Sequence, residues 1–313
     1  MTKTKILITY NKLKKVIESE VLTPIQTGRA NAKKIFANMI GDNTGDNLSN
    51  QNSEFCELSA IYWAWKNYAK LNNPDYIGFM HYRRHFIFNK KHYEHNRGEF
   101  PQFDILNQAY LDECCINDKD INSELEGCDA IIPMAMDFEL GLDNIYDQYK
   151  SYHYIEDFDT ALNILAEKYP QYSPHVEKYK NAKEGYFLNM FIFKKEIFFE
   201  YCAWMFDILF EVQKRLDTSA YDSYQARQVG FIAERLTGIF IIKLLSDSNL
   251  KIKELPVSFV KDTDLFDFFK DYFTYLRYKL KTIFTSYEKR EHYKKKLEMV
   301  KLRIDGNETA KTI

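Results

Sequence analysis

The apolar and polar positions open on a short β-branched run, Lys5-Ile-Leu-Ile-Thr-Tyr10, which predicts a first strand. Three later runs carry a related signature: YIGFMHY at 76–82, which switches abruptly to charge at Arg83-Arg84, DAIIPM at 129–134 and FLNMFIFK at 187–194. Near-continuous apolar runs bounded by Gly or charge read as buried strands. Elsewhere the spacing is helical. Phe55, Leu58, Tyr62, Trp65 and Ala69 recur behind Asn52 and Ser53, two N-cap candidates, and predict a helix over 54–71. Ile197, Tyr201, Met205, Ile208, Val212 and Leu216, and then Phe231, Leu236, Phe240 and Leu244, predict a mainly helical second half. From Val21 to Asn52, including TPIQTG and the doubled GDNTGDN, turn chemistry dominates and predicts a long loop. Strands separated by helices argue for an α/β chain with its sheet flanked by helices.

Composition narrows the function classes. The 313 residues hold 43 Lys plus Arg and 45 Asp plus Glu, so the formal charge is -2 and no general affinity for nucleic acid follows. Aromatic residues reach 16%, and their first use is packing. Five cysteines, with no CxxC or Cys/His zinc spacing, argue against a disulfide framework or structural metal site and fit a reducing cytoplasm. The opening MTKTKILITYNK has too short an apolar stretch for a signal peptide, and runs such as 238–242 stop at Lys243, so no bilayer-spanning segment is expected. Residues 272–303 hold ten basic residues against three glutamates, interleaved with Phe, Tyr, Leu and Ile. Such a basic aromatic helix suits an anionic membrane surface, and a solvated helix packing one stripe on the core is an equal alternative.

The strongest local chemical signal is Asp75-Tyr-Ile-Gly-Phe-Met-His-Tyr-Arg-Arg-His85. A buried strand here delivers His81, Tyr82, Arg83 and Arg84 to its C-terminal end, where α/β sheets bind ligands. Adjacent arginines on extended chain point to opposite faces, so Arg83 is expected to hold a diphosphate bidentately with Arg84 as its support. Surface ion pairs are the plainer use of such arginines. His81 and His85 have i,i+4 spacing, but on extended chain they need not converge, and a structural role is favoured over metal ligation. GDNTGDN lacks EF-hand spacing and reads equally as two Asx turns. No GxSxG, Walker loop, HExxH or GxGxxG occurs, leaving those enzyme classes without support. Glu234 and Arg235 stand inside an apolar helical stretch, where an ionised side chain must be paired or used; an ion pair and a raised-pKa base are both open.

Taken together, TPIQTG (23–28), GDNTGDN (41–47), CELSAIYWAWKN (56–67), DYIGFMHYRRHF (75–86), DAIIP (129–133), residues 189–211 and GFIAERL (230–236) resemble a family of bacterial capsular and exopolysaccharide glycosyltransferases once filed as a domain of unknown function. The resemblance implies a GT-A-like twisted, mostly parallel sheet flanked by helices over residues 1–260; the composition makes 261–313 a basic, helical C-terminal tail. It implies transfer of a sugar, galactofuranose or galactose favoured, from a UDP-sugar to a lipid-linked oligosaccharide at the inner face of the cell membrane. Ordinary GT-A enzymes carry Asp-x-Asp, which binds Mg or Mn, where this chain reads His81-Tyr82-Arg83, so metal dependence is doubtful and guanidinium groups are expected to take over the cation's role. Glu234 is the candidate base, with Asp137 behind it. Thr9, Thr23, Gln26 and Gly28 are candidates for the nucleotide pocket. Asp42, Asn43, Asp46 and Asn47 are candidates for holding sugar, with Trp63, off the apolar stripe, for stacking. Asn189, polar in an apolar strand, is a candidate acceptor contact, although a buried amide satisfying backbone is the plainer reading. Rival readings are a non-catalytic carbohydrate-binding or scaffold protein, and a nucleotide-sugar hydrolase or phosphotransferase needing metal-bound water.

Overall fold

A computed structural model describes residues 3–89, 100–137 and 142–261, together with positions 276, 277, 279, 293, 294 and 296, which are helical. The rest of the basic segment 272–303, and with it the membrane-surface expectation, lies outside the described residues. The chain divides into two units, Met1–Pro101 with Leu111–Phe259, and Gln102–Tyr110 with Val260–Ile313.

In chain order, β1 (Thr4–Tyr10), β2 (Leu22–Gln26) and β3 (Ile40–Gly41) precede α1 (Asn52–Phe55), α2 (Leu58–Lys66), β4 (Tyr76–His81) and β5 (Arg84–Phe86). Then come β6 (Gln102–Phe103), α3 (Gln108–Glu113), α4 (Asp118–Leu125), β7 (Ala130–Pro133) and β8 (Met136–Asp137). Helices α5 (Ile145–Tyr152), α6 (Ile155–Lys168) and α7 (Ser173–Lys180) lead to β9 (Glu184–Gly185) and β10 (Phe191–Lys194). The long helices α8 (Lys195–Arg215) and α9 (Gln228–Leu245) are followed by β11 (Ile252–Leu255) and β12 (Val257–Val260).

The main sheet of the first unit runs β11-β7-β10-β4-β1-β2-β3. Strand β1 pairs in parallel with β2 and β4, β2 with β3, and β11 with β7, while β10 lies antiparallel between β4 and β7. Central strands covered on both faces are apolar nearly throughout, which is why β1 and β4 are buried at almost every position. Register fixes a common rim. Thr9 stands opposite His81 and Tyr10 opposite Gln26, so β1, β2 and β4 all end there. Because β10 runs the other way, with Phe191 opposite Phe79, its N-terminal end reaches the same rim.

Three elements differ from the sequence expectation. The long loop expected from Val21 to Asn52 contains the strands β2 and β3, because parallel pairing with β1 on one side and β3 on the other satisfies the β2 backbone despite its turn-forming residues. The helix expected over 54–71 is broken at Cys56, whose φ is 49° and ψ -131°. Asn52 does not cap the first turn; its amide donates to the Cys56 carbonyl and, at 2.9 Å, to Ser59 Oγ, holding the break open. Of the 187–194 run, only Phe191–Lys194 is strand, since Leu188 (φ 90°) and Asn189 (φ 50°) are left-handed, which a strand cannot accommodate.

Aromatic residues make the core, as packing requires. Phe191 stacks on Phe193 at 4.1 Å, Tyr201 of α8 meets Phe191 at 4.9 Å and Phe240 of α9 at 5.2 Å, and all four are fully buried. Helix α9 is apolar on nearly all sides, as a helix enclosed by its neighbours must be. In the second unit, the Lys261 amide donates to the Phe103 carbonyl and Phe103 packs edge-on against Tyr110 at 4.8 Å. Among the described residues no helix is long and apolar enough to cross a membrane.

Strands β4 and β10 approach closely at Gly78, where an added Cβ would lie 2.7 Å from Ile192 Cγ1 and 3.0 Å from the Phe191 carbonyl oxygen. Gly78→Ala is expected to cost about 1–3 kcal/mol by overpacking, read as a lower urea midpoint with an unchanged slope.

Candidate active site

The rim carries the site because β4 ends there in a tight hairpin. His81 pairs with Arg84, the first residue of β5, so Tyr82 and Arg83 form the turn between them. The two arginines therefore do not share one extended run, and the strand alternation expected of them does not apply. Arg84 lines a cavity of about 330 Å³, whereas the Arg83 guanidinium packs over the rings of Tyr82 (5.0 Å) and Phe259 (5.2 Å).

Four other stretches complete the cavity. The break between α1 and α2 contributes Cys56 and Glu57; α9 contributes Glu234 and Arg235, with Arg227 just before it; the end of α5 contributes Tyr152 and His153; and Phe187 lies in the turn before β10. Arg235 is 4% exposed, donates to Gln148 Oε1 at 2.7 Å, lies over the Phe187 ring at 4.7 Å and has its Nη1 3.6 Å from Glu234 Oε2. The Glu234–Arg235 ion pair read from the sequence is present. Three buried nitrogens of lining residues, Arg84 Nε, Arg235 Nε and His81 Nε2, have no hydrogen-bond partner, an uncommon condition.

Burial shapes the charges. It pushes the Glu234 carboxyl above the usual range; Glu57 adds to the rise, and Arg235, Arg84 and Arg227 oppose it. The Arg84 guanidinium is pushed down by burial and held up mainly by Glu234. His81 falls to about 4 by burial and is neutral at pH 7. Cys56 receives a 3.2 Å hydrogen bond from Arg227 Nε, yet burial raises its thiol to about 11, so it is no thiolate nucleophile at neutral pH. His153 is lowered to about 4 by burial and packs against Phe231 (4.0 Å) and Tyr224 (5.9 Å), which also touch each other at 5.2 Å, so the three rings form an aromatic wall.

A second cavity, of about 430 Å³, adjoins the same rim and is lined by Gln26, Gly28, Lys33, Lys34 and Asn52 among others. Two of the expected nucleotide-pocket residues thus meet, although the Gln26 amide already binds the Lys34 carbonyl and the Phe36 N–H. Thr9 is buried against the Met80 carbonyl, and Thr23 lines a third cavity with Trp63.

The GDNTGDN loop is structural at its centre. Asp42 is fully buried and accepts from the amides of Gly28 (2.7 Å, φ 62°) and Arg29 (3.0 Å) and from the hydroxyls of Ser49 and Ser59 (2.6 Å), leaving no face for a sugar. Asn47 forms an Asx turn with Ser49, Asp46 accepts from the Tyr62 hydroxyl, and Asn43 is exposed; none of the three lines a cavity described above. Trp63 is 3% exposed with its indole N–H on Thr44, because α2 is buried on all sides along 58–64 and has no free face off its stripe. Asn189 is fully buried in a left-handed turn and bonds Glu57 and Thr237. Asp137, the reserve base, is exposed on β8 and does not line the cavity of Arg84 and Glu234.

Sequence reading passed over Glu57, Arg227 and His153. Glu57 had a signal, a charge immediately before an apolar helix, whereas the other two converge only through the fold.

The family described as Domain of unknown function (DUF4422) matches residues 5–245. This chain belongs to that family. Among solved structures, the DUF4422 chain is similar to the apo structure of WbbM, a bifunctional glycosyltransferase, with 36% identity and a TM-score of 0.77 over 83% of its own length. The match takes in 45% of the WbbM chain, so the DUF4422 chain spans about half the length of that relative. No curated protein matches it significantly. The sheet and its flanking helices have the GT-A-like organisation that the resemblance implied.

Neutral, buried histidines give the fold a dependence on acid. His85 is fully buried and lowered to about 3, against about 6.5 in an unfolded chain. The unfolded state takes up this proton first, so its contribution to stability is complete above about pH 6.5 and is lost as pH falls toward 3. Urea unfolding at pH 7.5 and 5.0 should show a stability difference that narrows by up to about 2 kcal/mol in His85→Gln.

Proposed function

We propose that this chain is a glycosyltransferase that moves a sugar, galactofuranose or galactose favoured, from a UDP-sugar to a lipid-linked oligosaccharide in bacterial capsule, exopolysaccharide or O-antigen synthesis. The observation that carries the reading is the convergence of Arg84, Arg227 and Arg235 with Glu234 in one cavity at the sheet rim. Family membership and the likeness to a bifunctional glycosyltransferase support it independently.

The chemistry follows from charge. An acceptor hydroxyl oxygen attacks the anomeric carbon, the bond from that carbon to the diphosphate oxygen breaks, and the electron pair leaves with UDP. Negative charge grows on the leaving group, and guanidinium groups already fixed in place stabilise it. Glu234 takes the hydroxyl proton, and its raised carboxyl is better matched to that task than an ordinary glutamate. A divalent cation fits these residues poorly: His81-Tyr82-Arg83 stands at the end of β4 in place of Asp-x-Asp, the hairpin there presents Arg84, and no group of three or more His, Cys, Asp or Glu residues suited to a metal occurs among the described residues. Guanidinium groups are therefore assigned the cation's part.

UDP is expected to raise the melting temperature of the wild type and to lose most of that effect in Arg84→Ala, with Arg83→Ala intermediate. A screen of UDP- and GDP-sugars should release nucleotide with at least one UDP-sugar, equally in EDTA. No thermal shift with UDP, GDP or dTDP would favour the carbohydrate-binding alternative, and complete loss of activity in EDTA would overturn the guanidinium assignment.

The basic segment 272–303 supports attachment to an anionic membrane surface, where a lipid-linked acceptor is held. The full chain should float with phosphatidylglycerol vesicles and not with phosphatidylcholine alone; failure to float with either removes the membrane assignment.

A further inference from the structure

We propose that Glu57 grips hydroxyl groups of the transferred sugar and that Asn189 positions it for that task. The inference rests on the glycosyltransferase reading and names the sugar-recognising group of the same cavity.

Glu57 stands at the N-cap of α2, where a side chain ordinarily accepts from the helix's first free amides. This one makes no such bond. Its Oε1 instead accepts from Asn189 Nδ2 at 2.9 Å, across 132 residues of chain. Asn189 Oδ1 accepts from the Thr237 hydroxyl at 2.9 Å, and Thr237 Oγ1 lies 2.8 Å from the Tyr201 hydroxyl. Thr237 gives its proton to Asn189, so Tyr201 donates to Thr237, and donors run in one direction from Tyr201 to Glu57. The chain also assigns the amide, because a carboxylate oxygen accepts only from its NH2 side. Tyr201, Thr237 and Asn189 are all buried, so water does not compete for these bonds.

Backbone strain marks both ends of the Glu57–Asn189 hydrogen bond. Cys56, immediately before Glu57, has φ 49°; Leu188 and Asn189 have φ 90° and 50°. None of the three is glycine, and such conformations persist only where surrounding structure enforces them. A leucine there gains nothing locally, so the constraint comes from what the turn presents.

Chemistry selects the ligand group. Glu57 and Glu234 line one cavity with Arg84, Arg227 and Arg235. Glu234 is already paired with Arg235, whereas the partner of Glu57 is a neutral amide. The Asn189 amide occupies one site on Glu57 Oε1, so the carboxylate keeps acceptor positions that suit a pair of hydroxyl donors. The Arg84, Arg227 and Arg235 side chains that share the cavity make its lining suited to a polar occupant.

Calorimetric titration of the full chain with UDP, UDP-galactose, UDP-galactofuranose and UDP-glucose tests this, each variant first being checked for an unchanged melting temperature. In Glu57→Gln, the sugar nucleotide that wild type binds best is expected to weaken tenfold or more while UDP stays within twofold. Asn189→Gly, which tolerates the left-handed backbone and removes only the amide, should weaken the same sugar nucleotide severalfold, again sparing UDP. Equal effects on UDP and sugar nucleotide, or no effect on either, would overturn the Glu57 assignment alone. Wild-type protein that binds none of the four ligands would instead remove the glycosyltransferase reading and this inference with it.

Discussion

Charge withdrawn from water is the constraint around which this molecule is arranged. Three arginines and two glutamates share one cavity, and each ionised group taken from water costs several kcal/mol unless opposite charge and hydrogen bonds compensate. Compensation here is incomplete. Arg235 has Glu234 and Gln148, yet its Nε and that of Arg84 find no partner. Five charges held close without complete pairing are poor building material for a core and good material for receiving a polyanion, because their fields act on an incoming diphosphate without further reorganisation.

Such an arrangement needs a rigid surround, and two buried polar devices supply it. Asp42 gathers donors from the turn after β2, from Ser49 and from Ser59 on α2, tying the second cavity's wall to the helix that carries Glu57. On the other side, the bonds from Tyr201 through Thr237 and Asn189 tie α8 and α9 to the same glutamate. Glu57 is thus fixed between two networks, each almost wholly out of water, where a hydrogen bond is strong and an unmade one costly.

Strands β1, β4 and β7 and the long helices were legible because their signal is local. The KILITY run, the apolar stretch ending at His81 and the 3.6-residue spacing of α8 and α9 each follow from a periodicity that one segment carries alone. Legibility failed where a distant partner overrides local preference. The spacing of 54–71 reads as one helix, and only Asn52, turning its amide onto the Cys56 carbonyl, explains why two form. Trp63 read as the ring off the stripe, but residues 58–64 of α2 are buried on every side, so that stretch has no outer face. Arg84 rather than Arg83 lines the cavity because strand alternation was assumed through Tyr82 and Arg83, which form a turn. The Glu234 and Arg235 reading succeeded for the opposite reason: two charges inside an apolar helix demand a partner whatever the tertiary fold.

One topological choice links fold to site. Had β10 run parallel to β4, its leading turn would sit at the far end of the sheet, and the rim would offer only the loops after β1, β2, β4 and β7. Running antiparallel, it brings the turn of Phe187 to Asn189 to the C-terminal ends of its parallel neighbours. That reversal places Phe187 beneath the Arg235 guanidinium and Asn189 against Glu57. It also explains the strained backbone at Leu188 and Asn189, because a chain entering a central antiparallel strand at a crowded rim must turn within a few residues while directing a polar side chain inward. A mostly parallel sheet provides the edge at which a ligand sits; the one strand that runs against it provides the wall that holds the carboxylate.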